Sequence, residues 1–187
     1  MDRAALTQQV RGHVPADDAE AAHRLAVLEL LATSAAPFSR STVAPGHVTA
    51  SAFVICPDME RVLLIHHAFL GLWLQPGGHV EVDDADLASA CRREIVEETG
   101  VSSLLRLDGF PDLLDIDVHA IPANPRKGEP AHRHFDLRTL WLAQDDALVD
   151  TGEVLAVRWV PFDQVDAHTS DASVQRAVGR IRSKLDR

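Results

Sequence analysis

The chain has 187 residues, a formal net charge of −10, and 46% hydrophobic and 25% charged residues, the composition of an ordinary globular protein with one main domain. That is enough apolar material for a core without a disulfide or structural metal. So negative a chain is a poor candidate for gripping duplex nucleic acid through phosphates, and no stretch reaches the roughly 20 apolar residues that span a bilayer.

Residues 1–45 read as an N-terminal helical extension. "MDRAALTQQVRGH" lacks the apolar run of a signal peptide, so a cytoplasmic location is expected. In "ADDAEAAHRLAVLELLATSA", acidic residues come first, and Leu25, Leu28, Leu30 and Leu31 recur near helical spacing. The pattern predicts a helix over 17–33. Pro37 and "SRSTVAPG" end it.

Positions 46–187 then read as the main domain. "HVTASAFVIC" (47–56) is β-branched and apolar, and "VLLIHH" (62–67) follows the turn "PDMER", predicting a hairpin. "LWLQPGG" reads as a short strand before a Pro-Gly-Gly turn. "DDADLASACRREIVEET" is a helix, with Asp84 or Asp86 as cap and Gly100 as stop. One long or two short strands are expected over 104–119, a loop at "NPRKGEPAH", and strands at "HFDLRTLWLA" and "EVLAVRWV". "SDASVQRAVGRIRSKL" closes the chain as a helix with basic residues toward its end. Helices flanking a mixed sheet make an α/β or α+β architecture. Cys56 and Cys91 sit among apolar or small neighbours and read as buried free thiols.

The helix after the two glycines carries the chemistry. Glu94, Glu97 and Glu98 stand at i, i+3 and i+4 and share one surface patch. Leu87, Cys91 and Ile95 form a separate apolar stripe, and Arg93 lies one turn before Glu97. Such a charged run is often just a solvated face. Here Gly77 and Gly78 precede it, where backbone can approach a ligand closely and offer a carbonyl. Several oxygen ligands suit a hard cation such as Mg²⁺ or Mn²⁺, which would relieve the repulsion and bridge to phosphate.

"GGHVEVDDADLASACRREIVEETGV" resembles the Nudix box. That pattern runs glycine, five residues, glutamate, seven residues, then Arg-Glu-apolar-x-Glu-Glu-x-Gly-apolar. Arg93, Glu94, Ile95, Glu97, Glu98, Gly100 and Val101 match its second half. With Gly78 as the family glycine, Asp84 stands where a glutamate is expected. The spacer to Arg93 is then eight residues, one more than the pattern.

The resemblance implies an α/β/α sandwich with a mixed sheet. It also implies a metal-dependent hydrolase in which water attacks phosphorus of a nucleoside diphosphate linked to another group. By similarity, Glu94, Glu97, Glu98 and the Gly78 carbonyl would hold the metal, and Arg93 would keep the carboxylates in register. Glu94 or a neighbour would take a proton from the attacking water. Many family members use a further acid from a loop before a late strand. Glu153, six residues before Trp159, is the candidate base or extra ligand, with Glu129 a weaker competitor.

His132, His134 and Asp136 alternate, so a strand puts all three on one face. Contact with substrate, a plain polar surface and a separate metal site all remain open. His79 adjoins Gly78 and is another candidate substrate contact; His66 and His67 are similar cases. Phe69, Trp73 and Phe110 could stack on a base, although a core role fits each. The expected partner is a small nucleotide or other diphosphate, with no nucleic acid or membrane, and a homodimer is possible. Two other readings keep the fold: a nucleotide-sensing regulator, and an enzyme resembling isopentenyl diphosphate isomerase.

Overall fold

A computed structural model describes residues 1–125, 128–169 and 171–186. Strand β1 (His47–Ile55) runs through the middle of a mixed sheet and is buried at every position. Strands β2 (Arg61–His66) and β4 (Gly77–His79) pair with it antiparallel, and β7 (His132–Ala143) pairs parallel, from His47↔His134 to Ile55↔Leu142. Outward from these, β3 (Trp73–Leu74) and β8 (Ala156–Pro161) pair with β2. Strands β5 (Leu104–Arg106) and β6 (Asp115–Ile121) pair with β7.

The period-two alternation of β1 explains where the cores and the cleft lie. Val48, Ala50, Ala52 and Val54 join one core with Leu6 and Val10 of α1 (Arg3–Gly12) and Leu30 and Leu31 of α2 (Asp18–Thr33). Leu87, Cys91 and Ile95 of α3 (Leu87–Thr99) complete it, so the apolar stripe is buried as expected. Of the alternate β1 residues, Phe53 and Ile55 enter a second core. Val165, from the four-residue helix α4 (Val165–His168), and Val174, Val178 and Ile181, from α5 (Ala172–Leu185), pack there too. At the other end of the same series, His47, Thr49 and Ser51 are polar and line a cleft. Strand β7 repeats the pattern: Phe135 and Leu137 face the first core, whereas His134, Asp136 and Arg138 line the cleft.

Several boundaries differ from the expected ones. The N-terminal segment forms two helices, not one. Helix α1, capped by Asp2, buries only Leu6 and Val10, too short an apolar pattern to stand out. "LWLQPGG" splits into β3 and β4, and 104–119 into β5 and β6. Strand β8 starts at Ala156, which leaves Glu153 in the loop before it. Asp86, not Asp84, caps α3, by a reciprocal hydrogen-bond pair with Ser89. Arg126 and Lys127 of the expected loop, and Ser170 at the expected start of the last helix, lie outside the described residues.

Buried charge ties the helices to the sheet. Arg138, 2% exposed, donates to Asp136, Asp115 and Asp117, and Arg176 of α5 joins Asp115. Glu20 of α2, fully buried, accepts from the Ile116 N–H and from Arg180 of α5, and contacts His13 at 2.6 Å. Removing one member of such a network costs about 3–5 kcal/mol, because the other charge is left uncompensated. Both cysteines are buried and free. Among the described residues, no helix is long and apolar enough to cross a membrane.

Candidate active site

Pairing of β4 with β1 lays Gly77 against Ser51 and Gly78 against Ala50. A Cβ on Gly77 would stand 2.6 Å from the Ser51 Cα, so only glycine allows this approach. A Cβ on Gly78 would stand 2.7 Å from Glu94 Oε1, so the bare backbone is what admits that carboxylate. The Gly77 N–H donates to Glu98 Oε2 at 2.9 Å. The twin-glycine turn thus packs directly on the acidic face of α3.

Arg93 organises that face. Its Nη1 donates to Glu94 Oε1 at 2.8 Å and to Glu97 Oε2 at 2.9 Å. Its Nη2 donates to the His79 carbonyl at 2.8 Å and to Asp84 Oδ2 at 2.9 Å. Asp84 also accepts from the Glu81 N–H at 2.7 Å. Burial alone would raise the Asp84 carboxyl, but Arg93 and that N–H outweigh it, and the net shift is downward. Despite its one-residue displacement from the family spacing, Asp84 serves as the anchor of the arginine.

The acids on this face repel one another. Burial, with the Glu97 and Asp84 charges added, raises the Glu94 carboxyl in spite of Arg93. Burial, followed by the charges of Glu94 and Glu153, pushes Glu98 up to about 8, although the Gly77 N–H pulls the other way. Glu97 is half exposed. All three line a cleft of about 600 Å³, as do Gly78, Arg93 and Glu153. Glu153 sits in a loop that also donates from the Thr151 hydroxyl to the Glu98 carbonyl.

His79, His132, His134 and Asp136 line the same cleft. Asp136 is 3% exposed, and it accepts from Thr49, Ser51, Gln75 and Arg138. Its carboxylate is thus held in the cleft floor by four side chains. His134 and His79 pack with His47, whose ring lies 5.0 and 5.1 Å from theirs. Burial, then the neighbouring imidazoles, pushes His134 down to about 2 and His79 down to about 4. Both rings are neutral near pH 7.

The remaining candidates separate. Glu129 lines the cleft and pairs with Arg40 at 2.8 Å. His67 lies at the cleft and accepts from the Phe69 and Leu70 N–H groups. His66 instead stacks on Trp73, with ring centroids 5.1 Å apart. Trp73 and Phe110 pack on the second core, whereas Phe69 is 45% exposed at the cleft. Sequence reasoning missed His47, Thr49, Ser51, Gln75 and Arg138 in the floor. The polar half of "HVTASAFVI" was the signal for three of them, since His47, Thr49 and Ser51 alternate there with apolar residues.

Residues 45–179 match the NUDIX domain family. The chain belongs to that family. A Nudix relative from Lactococcus lactis subsp. cremoris, "Probable DHNTP pyrophosphohydrolase", is 32% identical over 72% of this chain and 76% of its own length. A C. elegans Ap4A hydrolase superposes with a TM-score of 0.55 at 15% identity, over 74% of this chain and 97% of that one. The E. coli dihydroneopterin triphosphate pyrophosphohydrolase superposes with a TM-score of 0.51 at 20% identity, over 71% and 92%. These superpositions speak to the fold alone. As a Nudix hydrolase, the chain acts on phosphoric anhydrides.

Proposed function

We propose that this Nudix hydrolase cleaves the pyrophosphate bond of a nucleoside diphosphate linked to another moiety, with Mg²⁺ or Mn²⁺ as cofactor. The observation that carries the reading is the convergence of Glu94, Glu97 and Glu98 on one cleft beside the twin-glycine turn, with Glu98 accepting from the Gly77 N–H and Glu94 packed on the bare Gly78 backbone. Burial beside Glu94 and Glu153 raises the Glu98 carboxyl, which a bound cation would keep ionised. The donor set is all oxygen, which fits a hard ion. Glu94, Glu97, Glu98 and the Gly78 carbonyl would hold it. A divalent cation would supply neutralisation of phosphate oxygens and acidification of the attacking water.

The chain's own residues do the rest. Arg93 fixes the Glu94 and Glu97 carboxylates through one nitrogen, Nη1, so they cannot splay apart. Asp84 and the His79 carbonyl hold that guanidinium from behind. The Gly77 N–H orients Glu98. Glu153, on the exposed loop near Glu98, would accept a proton from water entering the cleft. His79, neutral and lining the same cleft, would hydrogen-bond the substrate without adding charge.

Turnover of a substrate panel tests this. Nucleoside triphosphates, Ap4A, ADP-ribose, nucleotide sugars and dihydroneopterin triphosphate are each offered with Mg²⁺ or Mn²⁺, and both products are identified. At least one is expected to be cleaved between phosphates, and Glu97→Gln is expected to lower kcat strongly with the fold intact. Wild-type turnover by Glu97→Gln would refute the assignment. A panel left uncut but tightly bound would favour a nucleotide sensor.

A further inference from the structure

Four strands bring imidazoles to one end of the cleft. His47 starts β1, His134 lies directly across from it on β7, and His119 of β6 lies across from His134. His79 ends β4, and His132 begins β7. The His47, His132 and His134 ring centroids are 5.0–5.1 Å apart pairwise. One nitrogen from each of these three rings lies within 4.8 Å of the others.

The hydrogen bonds behind the rings decide which nitrogen is free. His47 Nδ1 faces the Thr42 carbonyl at 3.1 Å, and His132 Nδ1 faces the Pro130 carbonyl at 2.9 Å. A carbonyl only accepts, so each neutral ring carries its proton on Nδ1 and keeps a bare lone pair on Nε2. Backbone carbonyls holding the far N–H are the usual support of a metal-binding histidine. His47 is 1% exposed, yet among the described residues its Nε2 has no hydrogen-bond partner. His132 Nε2 accepts a hydrogen bond from His134 Nε2 at 3.1 Å, so a bound ion would take the place of that proton and shift His134 to its Nδ1–H tautomer. Two nitrogens on a tetrahedral ion, at about 2.0–2.1 Å from the metal, are separated by about 3.3 Å. The pair is already near that spacing.

We propose that His47, His132 and His134 form a second metal site, for a borderline divalent ion such as Zn²⁺ or Co²⁺. Three imidazoles and no carboxylate suit such an ion rather than Mg²⁺. Asp136, though on the same strand face, is committed to Thr49, Ser51, Gln75 and Arg138 and supplies no ligand. His79, which lines the cleft with its ring centroid 5.1 Å from that of His47 and 5.4 Å from that of His134, would donate a hydrogen bond to whatever fills the fourth position. That position would take water or an anionic oxygen. The site stands on the imidazoles alone and does not require the hydrolysis proposed above.

Untagged full-length protein is titrated with Zn²⁺ in excess Mg²⁺ by calorimetry, and with Co²⁺ by visible absorption. One ion per chain is expected, with the intense bands of tetrahedral Co²⁺. Loss of a direct ligand should cost at least as much as loss of an outer-shell partner, about 10–100-fold in affinity. His134→Ala should therefore weaken Zn²⁺ binding by more than about tenfold, whereas Glu98→Gln should leave it unchanged. His132→Ala, at the partly exposed start of β7, makes the same test should His134→Ala not fold, as judged by circular dichroism. Absence of stoichiometric Zn²⁺ from the wild type, retention of wild-type affinity in the folded histidine variants, or loss of binding in Glu98→Gln would each overturn the proposal.

Discussion

Arg93 and Asp84 meet at two points: Nε to Oδ1 at 3.2 Å and Nη2 to Oδ2 at 2.9 Å. The opposite side of the same guanidinium holds Glu94 and Glu97. Asp84 is thus the back-stop of the acidic face without belonging to it. Asp84→Ala should lower kcat by about 10–100-fold, as loss of an outer-shell partner does. Asp84→Asn, which keeps one acceptor oxygen, should lose less. Steady-state kinetics of the two variants at saturating Mg²⁺ checks the order.

The two glycines should fail in different ways. At Gly78 an added methyl meets the end of the Glu94 side chain, which can swing aside. Gly78→Ala should therefore fold but misplace the carboxylate, at a cost of about 100-fold in kcat. At Gly77 the methyl meets Ser51 backbone, which cannot. Gly77→Ala should lower Tm and reduce soluble yield. Thermal melts beside activity assays separate the two outcomes.

Glu98 makes a pH prediction. Its carboxyl rises from the usual 4.5 to about 8 on folding, so between those values the folded state holds a proton that the unfolded state has released. Stability without divalent ions should then fall as pH rises through that window, by a few kcal/mol at most at about 1.4 kcal/mol per pKa unit. Glu98→Gln should flatten the dependence. Mg²⁺ should raise Tm more at pH 8 than at pH 6, because it needs the ionised carboxylate. Melting curves in chelator and in Mg²⁺, across that range, decide it.

Arg138 supports the cleft floor from within. It is buried among Asp115, Asp117 and Asp136, and Arg138→Met would leave three carboxylates with less compensation. A loss of about 3–5 kcal/mol is expected by chemical denaturation. Asp115→Asn should cost less, because Arg138 keeps Asp117 and Asp136.

The acidic face was legible because helical spacing is local: Glu94, Glu97 and Glu98 converge whatever α3 packs against. Asp84 as anchor of Arg93 was half legible, since the eight-residue spacer left its role between cap and acid. The floor was less so. His47 and His134 are 87 residues apart and meet only through the parallel register of β1 and β7, which no local pattern encodes. Glu20 stands among the acidic residues that come first in the α2 stretch, with nothing local to mark it out. Its pairing with Arg180 depends on α5 arriving from the far end of the chain.

That last contact has a mechanical consequence. Glu20 sits where α2, β6 and α5 meet, joined to Ile116 and Arg180. Arg180 Nη2 also donates to the Val14 carbonyl. The first helices and the last one are therefore fastened at Glu20 and, more loosely, where Arg176 lies 4.0 Å from Asp17. Pulling on either terminus must part Glu20 from Arg180, so the two ends should peel away together rather than one after the other.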